Sequence, residues 1–175
     1  MKNIVVLVSG GGTNLQALID AQKAGKIPNG RITCVISSNA DAYALVRAKE
    51  NGIGTRVLSP KSYPTKSAYA DALLEALFQE YADLIVLAGF MTILDEKVIR
   101  AYHNQIINVH PSLIPSFCGA GYYGLRVHEA ALERGVKYTV RRCILSMRLP
   151  MTVRSFCKSR LLYSQMIRLK FCRSV

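Results

Sequence analysis

The sequence predicts an α/β fold, with a three-layer α/β/α arrangement around a mostly parallel, Rossmann-like sheet. Three observations lead to this prediction. The chain opens with the β-branched run 4–8, which is typical of a strand buried on both faces. A glycine-rich break follows this run. Strand-like and helix-like segments then alternate as far as residue 139, and this alternation indicates a parallel sheet with helices on both faces.

Each element is predicted from its own periodicity and end signals. Gly25, Gly52 and Gly135 stand directly after helical patterns, where glycine commonly ends a helix. Asp95 and Glu96 lie in the first turn of a short helical pattern, where negative charge is favourable. The predicted strands are 4–8, 31–36, 55–58, 84–87 and 106–109. The predicted helices are 14–24, 42–51, 65–81, 95–102 and 125–134.

The charge is divided unevenly along the chain. The 175 residues include 23 Lys and Arg against 11 Asp and Glu, a net charge of +12. Residues 140–175 hold 9 of these cations, no acidic residue and no glycine. The composition therefore predicts a globular domain over residues 1–139 and an aberrant basic tail over residues 140–175, for which disorder is one alternative.

Composition also excludes several classes of protein. No apolar run is long enough to cross a membrane, and the apolar stretch at the start is too short for a signal peptide. We therefore expect a cytoplasmic protein with no membrane partner. The cysteines show no CxxC pair and no Cys/His spacing typical of zinc, so we expect no disulfide framework and no metal site. They are residues 34, 118, 143, 157 and 172.

The glycine-rich break, SGGGTN at 9–14, joins the first strand to the first helix. Its glycines allow close approach of a ligand, and the N–H groups that open the helix favour an anion. Thr13 and Asn14 can add side-chain donors. The segment lacks the lysine of a Walker loop, and only Gly10 and Gly12 match the dinucleotide fingerprint. Phosphate binding is the favoured interpretation, and a tight turn alone is the alternative.

Asn108 and His110 leave the fifth predicted strand together. Residues two apart in a strand face the same side, so both are expected to project into the crevice beyond the sheet. An Asn amide can stabilise a developing oxyanion, and a His can act as an acid, base or electrophile. The alternative is a His hydrogen-bonded to backbone, but the paired Asn and the rigid Pro111–Pro115 loop favour a site.

The apolar loop 88–94 follows the fourth strand. Such a loop at a carboxyl-end crevice could hold a flat ring. The equally weighted alternative is that Ile93 and Leu94 only cap the core. His103 and His128 are interpreted as ordinary surface or interface residues.

Three stretches in this order and spacing resemble the phosphoribosylglycinamide formyltransferases, folate-dependent enzymes of purine synthesis. The resemblance covers about residues 1–139. HPSLIP alone occurs across several formyl-folate enzymes, whereas the combination is specific. The stretches are VVLVSGGGTNLQAL (5–18), ADLIVLAGFMTIL (82–94) and INVHPSLIPSFCGAGYYGLRVHEAALERGVK (107–137).

This resemblance implies transfer of the formyl group of 10-formyltetrahydrofolate, the co-substrate, to the amine of glycinamide ribonucleotide. It implies that Asn108 holds the formyl oxygen and contacts the folate, and that His110 assists the tetrahedral intermediate. Lys66, by a looser match, stands where the family has a basic residue near the folate tail. The ribonucleotide phosphate would be held by Gly12, Thr13 and Asn14. The pterin would be framed by Met91, Thr92, Ile93 and Leu94. The expected state is a monomer or a homodimer.

The sequence departs from the family after Thr139. The family has a strand and then an Asp-x-Gly-Pro-Ile-Ile segment, whose Asp is the partner of the catalytic His. One missing base after codon 139 would explain the difference. Shifted codons for residues 140–147 can encode Ala-Ala-Val-His-Phe-Val-Asn, and Met151 and Thr152 necessarily contain GAC, an Asp codon, in that frame. We therefore expect impaired formyl transfer, and DNA sequencing across codon 139 tests the frame hypothesis.

Three alternatives stay open and a fourth is not expected. A formyltetrahydrofolate hydrolase shares the chemistry but needs no sugar-phosphate site. A methionyl-tRNA formyltransferase is not expected, because it would need a second domain and 175 residues leave no room for one. The basic tail could bind nucleic acid through its cations, although its aromatic residues are sparse and nucleic acid is not the expected partner. A dinucleotide-dependent redox enzyme would need a complete glycine fingerprint.

Overall fold

The structure is a computed structural model. It describes residues 1–110, Glu133, 138–146 and 153–162. The chain divides into two compact units, Met1–Asn108 with Leu145–Arg154, and Val109–Ile144 with Ser155–Val175. The predicted loop after His110, up to residue 121, lies outside the described residues, as does the predicted helix 125–134 except for Glu133, which is helical.

The predicted strands and helices of the first unit are all present, with ends that differ from the predicted ones by at most two residues. The strand 84–87 has the bounds that the sequence predicts. A single 3-10 turn at Pro60–Ser62 was not predicted. The helices are α1 Thr13–Lys23, α2 Tyr43–Glu50, α3 Lys66–Gln79 and α4 Glu96–Ala101. The strands are β1 Lys2–Val8, β2 Gly30–Ser37, β3 Gly54–Val57, β4 Leu84–Leu87, β5 Ile106–His110, β6 Tyr138–Ser146 and β7 Val153–Leu162.

The first five strands form a parallel sheet in the order β3-β2-β1-β4-β5. The chain moves outward from β1 to β3 on one side, and then returns to β4 and continues to β5 on the other. The strand order therefore reverses between β1 and β4. In parallel sheets of this kind, the crevice beyond the carboxyl ends at such a reversal is where ligands bind.

The two faces of β1 pack against different helices. Val5 and Leu7 belong to a buried cluster with α3 and α4. Ile4, Val6 and Val8 belong to a second cluster with α1 and α2. Because successive side chains of a strand point to opposite faces, this division places one helical layer on each side of the sheet. The predicted three-layer α/β/α class is confirmed.

Two of the helices begin with a side-chain cap and α1 does not. The Ala68 N–H donates to Thr65 Oγ1 at the start of α3, at 3.1 Å. The Lys97 N–H donates to Asp95 Oδ1 at the start of α4, at 3.0 Å. At the start of α1 the N-cap is Gly12, which has no side chain to accept a bond. The first N–H groups of α1 therefore donate no bond to an N-cap side chain.

The predicted basic tail, residues 140–175, contains most of β6 and all of β7. These strands are neighbours in the sheet order. Strand structure thus occurs beyond residue 139, and the domain boundary and the character of the tail stay predictions.

Candidate active site

The candidate site is built where β1, β4 and β5 end. Leu7 of β1 pairs with Leu87 of β4, and Leu87 pairs with Asn108 of β5. These three residues form one row across the sheet, just before the strands give way to loops. The glycine-rich loop 9–12 and the loop 88–94 therefore begin at the same edge, with half-buried Asn108 beside them.

The glycine-rich loop is held against α2 by its carbonyl groups. The Ala44 N–H donates to the Gly10 carbonyl at 3.1 Å, and Arg47 Nε donates to the Gly11 carbonyl at 3.0 Å. Gly12 has φ +72, and a Cβ at this position would lie 2.7 Å from the Cα of Ala44. The loop can lie this close to α2 only with glycine at position 12, because a side chain there would collide with the α2 backbone.

This attachment decides which way the loop N–H groups point. The C=O and N–H of a trans peptide point in opposite directions. Since the carbonyls of Gly10 and Gly11 face α2, the N–H groups of Gly11 and Gly12 face away from it. The first helical bond of α1 is donated by Gln16 to Gly12, at 2.9 Å, so the N–H groups of the three residues before Gln16 are not used within the helix. The loop and the helix start together offer a set of N–H donors suited to an anion.

The Ser9 hydroxyl joins three strand ends. Ser9 Oγ and Ser38 Oγ are 2.6 Å apart and share a hydrogen bond. The Met91 N–H donates to Ser9 Oγ at 2.9 Å. The hydroxyl thereby ties the glycine-rich loop after β1 to the residue after β2 and to the loop after β4. Sequence reasoning missed Ser9 and Ser38 as a connection, because two serines 29 positions apart give no local signal that they meet.

The loop after β4 offers apolar side chains at its surface. Met91 is 52% exposed and Ile93 is 85% exposed, whereas Leu94 is buried among the core residues near α4. The core-capping alternative therefore describes Leu94 but not Ile93. Leu94 can contribute only its backbone to a ligand, while Met91 and Ile93 present apolar surface for a flat ring.

Thr92 connects this loop to α3. Tyr69 is buried in α3, and burial raises the pKa of its hydroxyl to about 12, while a hydrogen bond with the Thr92 side chain acts in the opposite direction. Lys66 is exposed and lies one helical turn before Tyr69, at the start of α3. The role predicted for Lys66 stays a prediction.

The predicted catalytic pair lies on one strand. β5 extends to His110, one residue beyond the predicted end, so Asn108 and His110 are two apart in a single strand. The side chain of His110 lies outside the described residues. Thr13 is exposed and Asn14 is half-buried, at the first two positions of α1. The roles predicted for these residues stay predictions.

Arg47 is a functional candidate that the sequence analysis did not select. It lies in α2, and its guanidinium contacts the glycine-rich loop and α1 rather than solvent alone. The sequence gives only a weak signal for this role: Arg47 lies one helical turn after Tyr43 in α2.

Within the described part of the chain, no three His, Cys, Asp or Glu side chains converge as metal ligands would. None of the helices described there has the length and apolar character needed to span a bilayer.

Comparison with known proteins identifies the family of this chain. The formyl transferase family model matches residues 2–141. The chain is 44% identical over 133 residues to the phosphoribosylglycinamide formyltransferase of Escherichia coli K12, covering 76% of this chain and 60% of that protein. It is 46% identical over 135 residues to the Haemophilus influenzae protein of the same name, covering 77% and 61%. The chain thus spans about three fifths of the length of these relatives.

A solved structure gives the same result for the fold. Glycinamide ribonucleotide transformylase 1 from Symbiobacterium toebii superposes with a TM-score of 0.86 at 35% identity, covering 99% of this chain and 82% of that one. The parallel sheet, the layer arrangement and the matched residues all lead to the same family. The chain belongs to the formyl transferase family.

Proposed function

We propose that this chain acts on 10-formyltetrahydrofolate and glycinamide ribonucleotide, moving the formyl group to the ribonucleotide amine in purine biosynthesis. The observation that carries the proposal is the glycine-rich loop, whose N–H groups face away from α2 at the switch point of the sheet. A sugar phosphate needs such a loop, whereas water as an acceptor does not. The loop therefore favours the transferase over the hydrolase alternative, which shares the rest of the chemistry.

The ribonucleotide phosphate is assigned to the start of α1. The Gly12 N–H, together with the N–H groups and side chains of Thr13 and Asn14, would donate to phosphate oxygens. Three or more donors at an uncapped helix start bind an anion well because the helix dipole adds to the hydrogen bonds.

The folate is assigned to the loop after β4. Met91 and Ile93 would contact the pterin with apolar side chains, and Thr92 and Leu94 would offer backbone groups to its edge. Lys66, exposed at the start of α3, would attract the carboxylates of a folate tail by charge.

The chemistry follows from the position of Asn108. The amine nitrogen attacks the formyl carbon, a C–N bond forms, and the carbonyl oxygen becomes an oxyanion. A donor such as the Asn108 amide stabilises that charge by about 2.7–4 kcal/mol. The bond from the formyl carbon to the folate nitrogen then breaks, and one proton moves from the amine to the leaving nitrogen. His110 is proposed to assist this proton movement.

The altered segment after Thr139 lowers the expected rate. Residues 140–175 contain no Asp or Glu, so they supply no acidic partner for His110. We therefore propose that the chain binds its ligands about as well as the family does but transfers the formyl group slowly. We also propose a cytoplasmic location and a monomeric or homodimeric state.

Binding and turnover are tested separately. Titration calorimetry should detect glycinamide ribonucleotide, while the riboside that lacks the phosphate should bind far more weakly. Single-turnover reactions with excess protein should release tetrahydrofolate only when the ribonucleotide is present, and N108A should slow this release by about 10²–10³-fold. Equal release without the ribonucleotide would identify a hydrolase, and equal binding of the ribonucleotide and the riboside would overturn the proposed phosphate site.

A further inference from the structure

We propose that Arg47 is a positioning residue for the phosphate-binding loop and determines the preference for a phosphorylated ligand. This inference rests on the proposed function, since it concerns the same ribonucleotide site. Arg47 lies outside the stretches that carry the family resemblance, in the middle of α2. Its contacts, rather than its place in a motif, assign the role.

The guanidinium of Arg47 links the two halves of the phosphate-binding loop. Nε donates to the Gly11 carbonyl at 3.0 Å, just before α1. Nη1 donates to Gln16 Oε1 at 3.2 Å, in the first turn of α1. The Tyr43 ring stacks below the guanidinium, with Cζ 5.0 Å from the ring centroid. Three neighbours therefore hold one planar cation in a defined place.

The hydrogen bond to the Gly11 carbonyl orients the N–H of Gly12. It holds the peptide between Gly11 and Gly12 with its oxygen toward α2, and the N–H of Gly12 consequently points to the anion side. The site for a Gly12 Cβ lies 3.3 Å from Arg47 Cδ, so the aliphatic part of Arg47 also packs directly against this glycine. Loss of the guanidinium would free the peptide to rotate, and the loop would lose a preorganised N–H.

The charge of Arg47 is also available to a ligand. Arg56 forms an ion pair with Glu80 at 2.7 Å, and Arg100 forms one with Glu96 at 2.7 Å. No carboxylate in the described part of the chain forms an ion pair with Arg47. Its contacts within that part are a carbonyl, an amide and an aromatic ring, none of which carries a negative charge. A phosphate held by the adjoining loop would be attracted by this cation, which no described carboxylate pairs with.

Two substitutions separate position from charge. R47M removes both the hydrogen bonds and the charge, while R47K keeps a charge but cannot bridge Gly11 and Gln16 with one planar group. R100M is the matched control, because it removes one Arg charge from the exposed face of α4. Dissociation constants are measured by calorimetry for glycinamide ribonucleotide, for its riboside and for inorganic phosphate, and thermal unfolding is followed in parallel.

We expect R47M to weaken ribonucleotide and phosphate binding by about tenfold to a hundredfold, because donors to a charged group are lost or misplaced. R47K should fall between R47M and the wild type, and R100M should match the wild type. Riboside binding should not change, since it does not use the phosphate-binding loop.

Unchanged ribonucleotide binding in R47M would overturn the inference. Equal weakening of ribonucleotide binding and riboside binding would also overturn it, because it would indicate general damage to the fold. If the wild type binds inorganic phosphate but not the ribonucleotide, the proposed function is wrong. The role of Arg47 is then still tested by comparing phosphate binding by R47M and the wild type. If the wild type binds neither, both proposals are overturned.

Discussion

Among the described glycines with positive φ, replacing Gly12 with alanine should cost the most stability. Gly12 has φ +72, and an L-residue in this left-handed region costs about 1–2 kcal/mol. The new Cβ would lie 2.7 Å from both the Cα and the Cβ of Ala44, so α1 or α2 must shift. Overpacking of this kind typically costs about 1–3 kcal/mol. We expect G12A to lower the free energy of unfolding by about 2–5 kcal/mol.

Gly25 provides the matched control. It has φ +70, and nothing lies within 4 Å of its Cβ position. G25A therefore has the backbone cost without the collision, and we expect it to lose only about 1–2 kcal/mol. Urea unfolding of the wild type, G12A and G25A measures both losses, and phosphate titration of the folded proteins should show weaker binding for G12A alone. Equal losses of stability in the two variants, with unchanged phosphate binding in G12A, would refute the close approach to α2 as the reason for Gly12.

Three further substitutions test other contacts. Because Ser9 ties the two loops together, we expect each ligand to lower the Kd of the other. S9A removes the acceptor of the Met91 N–H and should reduce this effect, measured as the Kd of each ligand with and without the other; an effect of the same size in S9A would contradict a link between the loops. T65A removes the cap of α3 and should lower the free energy of unfolding by about 0.5–2 kcal/mol in urea, whereas an unmoved midpoint would show that the cap contributes nothing. Hydrogen bonds from the Asn3 N–H and the Lys2 ammonium lower the pKa of Asp83. The charged form of Asp83 therefore stabilises the fold above the ordinary carboxyl pKa, and this contribution is lost as the pH falls. The stability difference between D83N and the wild type should accordingly be larger at neutral pH than in acid, and a pH-independent difference would contradict it.

The elements of the first unit are predictable because their signals are local. β4 is a four-residue apolar run between Asp83 and the loop that begins at Ala88, and its bounds agree with the prediction. α1 ends before Gly25, which has φ +70. Helix ends moved inward in α3, where Thr65 proved to be the cap rather than the first helical residue. Such shifts are expected, because a cap is defined by a hydrogen bond and not by apolar spacing.

The candidate site was predictable as a set of loops but not as a set of contacts. Parallel strands place their carboxyl ends together, so the loops at 9–14 and 88–94 could be expected at one edge. Which atoms meet there depends on register and packing. The Ser9 hydroxyl reaches the N–H of Met91, 82 positions away, and Arg47 reaches Gly11, 36 positions away. Neither contact leaves a periodic signal in the chain.

The sequence alone therefore determined the order of strands and helices, the layer class and the loops that can bind ligands, because hydrophobic periodicity and turn residues act over short stretches of chain. Only the tertiary structure decided that Gly12 lies against Ala44, that the glycine-rich carbonyls face α2, and that Leu94 is buried while Ile93 is exposed. These features depend on how close two helices lie and on the rotation of individual peptides. Close packing sets both, and residues far apart in the chain contribute to it together.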